Sequence, residues 1–409
     1  MKDPGKNTLL KMWKYKFRNR FRHPCRQPAV ALIVNGMSEG GVEQVILDLY
    51  HGYQKRGYRA YIVCQNWIIE SVKAKLDRPE DLFVFEGDLI ALIHFLWRRD
   101  IRNLHYHYNI FGMEELKMLG LCIIYTMHNT YTWMSDDTIQ AYAKHLSCAD
   151  HVVAVSESVK EYFCNRTGNC SIPFTVINNG VDFSILDVEG NTLPYSRESL
   201  GIHDGEIVIG FVGSFYHAKS QIGMLGVTEK LIAKYPQVKV VFLGNKGDIN
   251  YYTRFKNELI NSEAKDHIVL AEPISHSQMG DFYRKIIDIF TLPTLHEGNP
   301  LVAIEAMYCG CPMVLTPSGI SGELAQKAAC LVCDAAYESL EKVTDDEIKN
   351  HLSLEKHAKN ENSVVSCLSA IIDELPMYRN RADQCRKNAL DYSVENMTDA
   401  YIRLLEPSH

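Results

Sequence analysis

The chain has 409 residues, 46% of them apolar and 23% charged, with a formal net charge of −7. That length suits two or more domains with sizeable cores, and the composition is that of a soluble globular protein. No apolar run reaches the ~18 residues that a bilayer span needs, and the basic start is not followed by an apolar stretch and cleavage site, so no secretory leader is expected.

Charge is uneven along the chain. Residues 1 to 26 hold nine Lys or Arg against one acid, Asp3, which gives +8 and leaves −15 on the remainder. Leu10, Trp13, Phe17 and Phe21 follow at steps of three, four and four, the spacing of one helical face. A basic helix with an aromatic face reads as an anchor for an anionic membrane surface; the alternative is a disordered tail or a helix docked on the body. Nucleic acid is not expected as a partner, because the acidic body would repel phosphates. The twelve cysteines sit mostly in apolar stretches such as "LGLCIIYTM" and read as reduced thiols. Cys330 and Cys333 form one C-x-x-C, read as two buried thiols on a strand, with no second pair to complete a zinc site.

From residue 28 short apolar runs alternate with amphipathic helical patterns. "AVALIVNG" reads as a strand, residues 41 to 55 as a helix closed by Gly57, and "YRAYIVC", "NLHYHY", "LCIIYTMHN", "DHVVAVS" and "FTVINNG" as further strands. The pattern restarts after "NNGVDFS" with "EIVIGFVGSF", "VKVVFLG", "HIVLA", "DIFTLP", "PMVLT" and "CLVCD". Alternating elements predict an α/β protein of two doubly wound, Rossmann-like domains, with the loops at the carboxyl ends of the strands lining a cleft. The expected division is a basic tail over 1–27, a first domain over 28–185, a second over 186–392, and a final helix over 393–409 crossing back to the first.

The loop after "DIFTLP" carries the sharpest signal. In "LHEGNPLVAIEAMYCG", Asn299 fits an N-cap, Pro300 the first helical position and Gly310 the far end. The N–H groups of Leu301 and Val302 would then point unpaired into the cleft, where a phosphate could bind. Glu297 would stand before the loop and Glu305 about two turns into the helix, on opposite sides of such a phosphate. The plainer reading is that both glutamates serve local caps and ion pairs. The stretch "NGMSEGGVEQ" lacks G-x-G-x-x-G, which disfavours a dinucleotide oxidoreductase.

"HEGNPLVAIEAMYCGCPMV" resembles the E-x7-E motif of retaining glycosyltransferases of family 4, which have the GT-B fold. "MSEGGVEQVILDLYHGYQKRGY" is similar to the family's first Gly-rich loop and helix, "TMHN" to the segment with its active-site histidine, and "ADHVVAVSESVKEYF" and "VINNGVD" to the end of its first domain and linker. "IGFVGSFYHAK" is similar to the phosphate-binding loop of its second domain. The resemblance covers roughly residues 28 to 405.

It implies transfer of a hexose from a nucleotide-diphosphate sugar, linked to UDP or GDP, to an acceptor hydroxyl with retention, without metal or other cofactor. Glu297 would hold the sugar hydroxyls and Glu305 the ribose. Gly298, Asn299, Pro300, Leu301 and Val302 would shape the diphosphate pocket, Lys219 beyond Gly213 would neutralise it, and His128 would contact the sugar near its reacting carbon. Gly40 and Gly41 would let the backbone approach phosphate or acceptor; apart from the resemblance they read as a tight turn before a helix. Alone, Lys219 reads as a surface lysine and His128 as a core hydrogen-bonder. One departure is plain: the arginine that commonly follows the glycine of the second loop is Ser214 here, so a cation is missing unless His217 or a basic residue from elsewhere replaces it. That departure keeps a catalytically silent subunit supporting a partner enzyme in view, and a nucleotide-sugar epimerase on the same fold is a further alternative. With the basic tail, the expected acceptor is a lipid-linked saccharide or a precursor of surface polysaccharide or lipopolysaccharide, at the cytoplasmic membrane face.

Overall fold

A computed structural model describes residues 27–168, 172–188 and 193–406. The basic segment of the first 26 residues lies outside the described residues.

Two compact units make up the chain, the first comprising residues up to Asn129, Met134–Gly180 and Val394 onward, the second Thr130–Trp133 and Val181–Ser393. The second unit therefore takes over at Val181, ahead of residue 186. The first is built on seven strands: β1 (Ala29–Met37), β2 (Arg59–Ile68), β3 (Leu82–Val84), β4 (Asn103–His107), β5 (Cys122–Met127), β6 (His151–Ala154) and β7 (Phe174–Val176). They lie in the order β3-β2-β1-β4-β5-β6-β7, every pair parallel. The second holds β8 (Ile207–Val212), β9 (Val238–Leu243), β10 (Ile268–Ala271), β11 (Ile289–Leu292), β12 (Met313–Leu315) and β13 (Cys330–Val332), in the order β10-β9-β8-β11-β12-β13, again all parallel. Counted within each unit, both sheets start 3-2-1-4-5-6, so each has a switch point between its first and fourth strands, where doubly wound sheets open a crevice beyond the strand ends.

Central strands of parallel sheets are covered on both faces, and their sequences show it. The first six residues of β1 are all buried, as are all four of β11. The second core gathers Val208, Phe211, Val240, Phe242, Phe290 and Val314 with residues of the flanking helices. β3 was not foreseen: its three half-buried residues at the sheet edge leave too short a pattern to read.

Three helices start at or beside expected site residues, α1 (Gly41–Lys55), α2 (Gln221–Lys234) and α3 (Leu301–Tyr308), and a fourth, α4 (Val394–Leu405), lies near the C-terminus. α4 belongs to the first unit, where Gly52 of α1 leaves room for Thr398 and Arg56 reaches Asp399 at 2.7 Å. All ten cysteines among the described residues are free thiols, and burial pushes Cys333 up to about 12. No helix of the described residues is long and apolar enough to cross a membrane.

Candidate active site

In the second unit, β8 ends at Val212 and the chain turns through Gly213 and Ser214 toward Lys219. This loop is clamped from three sides. Gly213 N–H donates to Leu243 O at 2.9 Å, Phe215 N–H to Asn245 O at 2.8 Å, and the buried Gln221 donates its Nε2 to Ser214 O at 2.9 Å. Gly244 makes the clamp possible, since a Cβ there would overlap the Gly213 carbonyl. Lys219 lies across Gly213, with its Cδ and Cε 3.8 Å from where a Cβ on that glycine would stand.

The loop after β11 is tied to the same turn. Thr294 Oγ1 donates to Ala218 O at 2.7 Å and Leu295 N–H to the same oxygen at 2.8 Å. These bonds bring Glu297 onto Lys219, and the ammonium and carboxylate form a partly buried ion pair. The next residues run past a turn at Gly319, whose φ of +57° suits glycine and whose missing Cβ would stand 2.8 Å from Gly298 O.

α3 starts one residue later than its sequence suggests. Pro300 is the N-cap residue, with φ −74° and ψ 111°, and Leu301 is the first helical residue. Asn299 is therefore not the cap, because Pro300 takes an extended ψ and is itself the last residue before the helix. The helix start carries no side-chain cap. Glu305, on α3, is buried, with Oε1 2.9 Å from Nε2 of His276 and Oε2 accepting from the Tyr283 hydroxyl at 3.0 Å. Burial and the adjacent carboxylate push the Tyr283 hydroxyl well above its ordinary value, so it stays a donor.

One alternative raised by the sequence meets local chemistry here. His217 is buried, with nitrogens 3.7 Å from Asp248 and 3.9 Å from Asp345, and burial lowers its pKa. At neutral pH it does not supply the cation missing at Ser214. Burial likewise pushes His296, next to Glu297, down to about 4.

The first unit holds the remaining expected residues. Gly40 is extended, with φ −174° and ψ 174°, and α1 begins without a side-chain cap. A Cβ on Gly41 would meet nothing within 4 Å. Backbone conformation therefore does not demand either glycine; what Gly41 leaves is open space at a helix start. His128 follows β5 and is buried, and burial pushes it down to about 3. Its Nε2 lies 2.8 Å from Nδ1 of His107, at the end of β4. The sequence reading missed His107, His276, Tyr283, Gly244 and Gly319. "NLHYHYN" did hold one usable signal, since two histidines at alternate positions share one side of a strand.

Comparison with known proteins agrees with this layout. The family of glycosyl transferases group 1 matches residues 194–362, and glycosyltransferase family 4 matches residues 39–184. EpsF of Bacillus subtilis (strain 168) is 26% identical over 321 residues, 71% of this chain and 80% of that one. The UDP-Gal:alpha-D-GlcNAc-diphosphoundecaprenol alpha-1,3-galactosyltransferase of Escherichia coli is 22% identical over 358 residues, 78% of this chain and 88% of that one. Among solved structures, HepE of Anabaena in complex with UDP matches with a TM-score of 0.72 at 15% identity, covering 92% of this chain and 99% of that chain.

Two doubly wound parallel sheets in one chain, with these matches across both, define a glycosyltransferase of the GT-B class. Within that class the chain belongs to glycosyltransferase family 4.

Proposed function

We propose that this glycosyltransferase moves a hexose from a UDP- or GDP-linked donor to an acceptor hydroxyl with retained anomeric configuration, and that it needs neither metal nor organic cofactor. The observation that carries the reading is the Lys219–Glu297 pair beside Gly213, at the switch point of the second sheet and next to the uncapped start of α3. A diphosphate at Gly213 competes for the Lys219 ammonium and frees the Glu297 carboxylate to accept from sugar hydroxyls. Glu305, held by Tyr283 and His276, accepts from the ribose. The acceptor oxygen attacks the anomeric carbon on the leaving-group face as the bond to the diphosphate breaks. The acceptor's proton passes to the departing phosphate oxygen. Lys219 and the N–H groups of Leu301 and Val302 stabilise the charge that develops there.

HepE of Anabaena was crystallised with UDP and with UDP-glucose, which supports a uridine donor. The Escherichia coli relative is named for a diphosphoundecaprenol-linked acceptor, which supports a lipid-linked saccharide as acceptor. Together with the +8 of residues 1 to 26, it supports work at an anionic membrane surface on the cytoplasmic side.

The test is to incubate the full chain with a panel of UDP- and GDP-hexoses, with and without a chelator, and to follow release of nucleoside diphosphate. One donor should be cleaved slowly in water and faster with acceptor, the chelator changing nothing, and proton NMR of the product should show retention. Inversion would remove the proposed mechanism.

A second reading, a silent subunit that binds nucleotide and supports a partner enzyme, is favoured by Ser214 together with a His217 whose pKa burial lowers. Ser214→Arg separates the two. It preserves or raises turnover if the pocket merely lacks the usual cation, whereas a protein that cleaves no donor in either form is the silent subunit.

A further inference from the structure

The ends of β4 and β5 carry a pair of buried histidines whose outer nitrogens have no hydrogen-bond partner among the described residues. His107 is 1% and His128 4% exposed, and their rings stack with centroids 5.0 Å apart. Nδ1 of His107 and Nε2 of His128 lie 2.8 Å apart, while the unpartnered atoms are Nε2 of His107 and Nδ1 of His128. Burial lowers the pKa of both, so at neutral pH each ring carries one proton.

Counting protons then links the two rings. One N–H must occupy the bond between them, so one remains, and it sits either on His128 Nδ1 or on His107 Nε2. If His107 donates, His128 presents a donor and the deeper His107 Nε2 is a bare lone pair. If His128 donates, His128 presents only an acceptor and an N–H is orphaned at the deeper position. Orphaned buried N–H groups are rarer than under-satisfied acceptors. The first arrangement puts its only unpaired N–H on the less buried ring, His128. Neighbours reinforce the rigidity of the pair: His105 packs its ring 4.1 Å from that of His107 and is itself fixed by Thr126 at 2.8 Å and Tyr53 at 3.2 Å.

We propose that His107 is a positioning residue, whose Nδ1–H donates to His128 Nε2 and so holds His128 in the tautomer that presents Nδ1–H to a hydroxyl oxygen of the sugar nucleotide. The inference rests on the reading of His128 as a contact to the donor sugar. A histidine whose second nitrogen is fixed by a neighbour has one tautomer and one orientation, and so one hydrogen-bonding character toward its ligand.

Ring-nitrogen NMR on the full chain with ¹⁵N-labelled histidine, at pH 7.5, tests it, with the His128 signals assigned by their loss in His128→Gln. Wild type should show His128 protonated on Nδ1. His107→Leu should move the proton to Nε2 or leave a mixture, and His107→Asn, whose amide can donate from a similar position, should restore Nδ1–H. Turnover should fall roughly tenfold in His107→Leu, the effect of one lost neutral hydrogen bond, recover in His107→Asn, and leave the donor KM nearly unchanged. His128 protonated on Nε2 in wild type overturns the proposal, even if His107→Leu does not fold, and so does a tautomer indifferent to residue 107. Full activity in His128→Ala alongside the expected NMR pattern would instead overturn the donor contact while leaving the tautomer coupling in place.

Discussion

Lys219 and Glu297 neutralise one another, so each substitution exposes the partner as well as removing a contact. Lys219→Ala should lower turnover about a hundredfold or more, the usual effect of deleting one group that stabilises charge in the transition state. Glu297→Ala should abolish transfer while nucleoside diphosphate still binds, because the base and phosphates keep their own contacts. Near-normal turnover in either variant, measured by nucleoside diphosphate release, would place the phosphate or sugar elsewhere. Glu305 behaves differently. It is buried and accepts from Tyr283, so Tyr283→Phe leaves a carboxylate oxygen short of one donor, a loss of about 1–3 kcal/mol. That variant and Glu305→Ala should raise the donor KM more than they lower kcat. The two glutamates were legible in the sequence because seven residues separate them around a Pro-marked helix start. Their partners were not, because Tyr283 and His276 reach Glu305 across the fold from a segment whose own pattern says only that it is polar and helical.

Element boundaries were read well where an apolar run is buried on both faces, as in β1, β5 and β11, and poorly where burial is partial, as in β3. The start of α3 slipped by one residue because Asn299 and Pro300 each suit a helix entry, and only the extended ψ of Pro300 decides between them. Glycines show the same limit. The sequence marked Gly40 and Gly41, but beside the Lys219 loop the backbone requires glycine at Gly244, under the Gly213 carbonyl. Gly244→Ala should therefore lower stability of the second unit by about 1–3 kcal/mol and raise the donor KM, since the loop bearing Lys219 must shift. Gly41→Ala should leave the melting temperature unchanged or slightly higher, because the new methyl meets nothing and alanine is the better helix former. A fall in turnover for Gly41→Ala at unchanged stability would show that a ligand approaches that open space. Thermal melts of both variants beside donor kinetics give the comparison; a Gly244→Ala protein as stable as wild type would refute the clamp.

Both units bury neutral histidines, which ties the stability of the whole chain to pH. Burial lowers His105, His107 and His128 in the first unit and His296 in the second. The unfolded chain takes up protons on these rings below about pH 6.5, while the folded forms of His296 and His128 resist until about 4 and about 3. Each such ring therefore adds stability that is complete above pH 6.5 and declines as pH falls, by up to about 1.4 kcal/mol per pH unit. The carboxylates held low by their partners, Asp187 and Glu229 among them, act only at lower pH, so a drop in urea midpoint between pH 6.5 and 5 reports the histidines. A midpoint that stays flat across that window would contradict their burial as neutral rings. Charge acts at the same scale through the first 26 residues, which carry +8 on a chain whose remainder is −15. Each basic residue near an anionic surface contributes about 1 kcal/mol, and salt weakens the attraction as the screening length shrinks. Deleting residues 1 to 26 leaves every described strand of both sheets in place, since β1 begins at Ala29. The shortened protein should melt like the full chain and hydrolyse a soluble donor at the same rate. It should lose sedimentation with vesicles of anionic lipid, and transfer to an acceptor embedded in those vesicles should fall. The full chain should bind strongly at low salt and weakly at high salt, and neutral vesicles should retain little of either protein. Equal binding with and without the basic segment would mean that the membrane contact, if the acceptor requires one, is made by the folded units themselves.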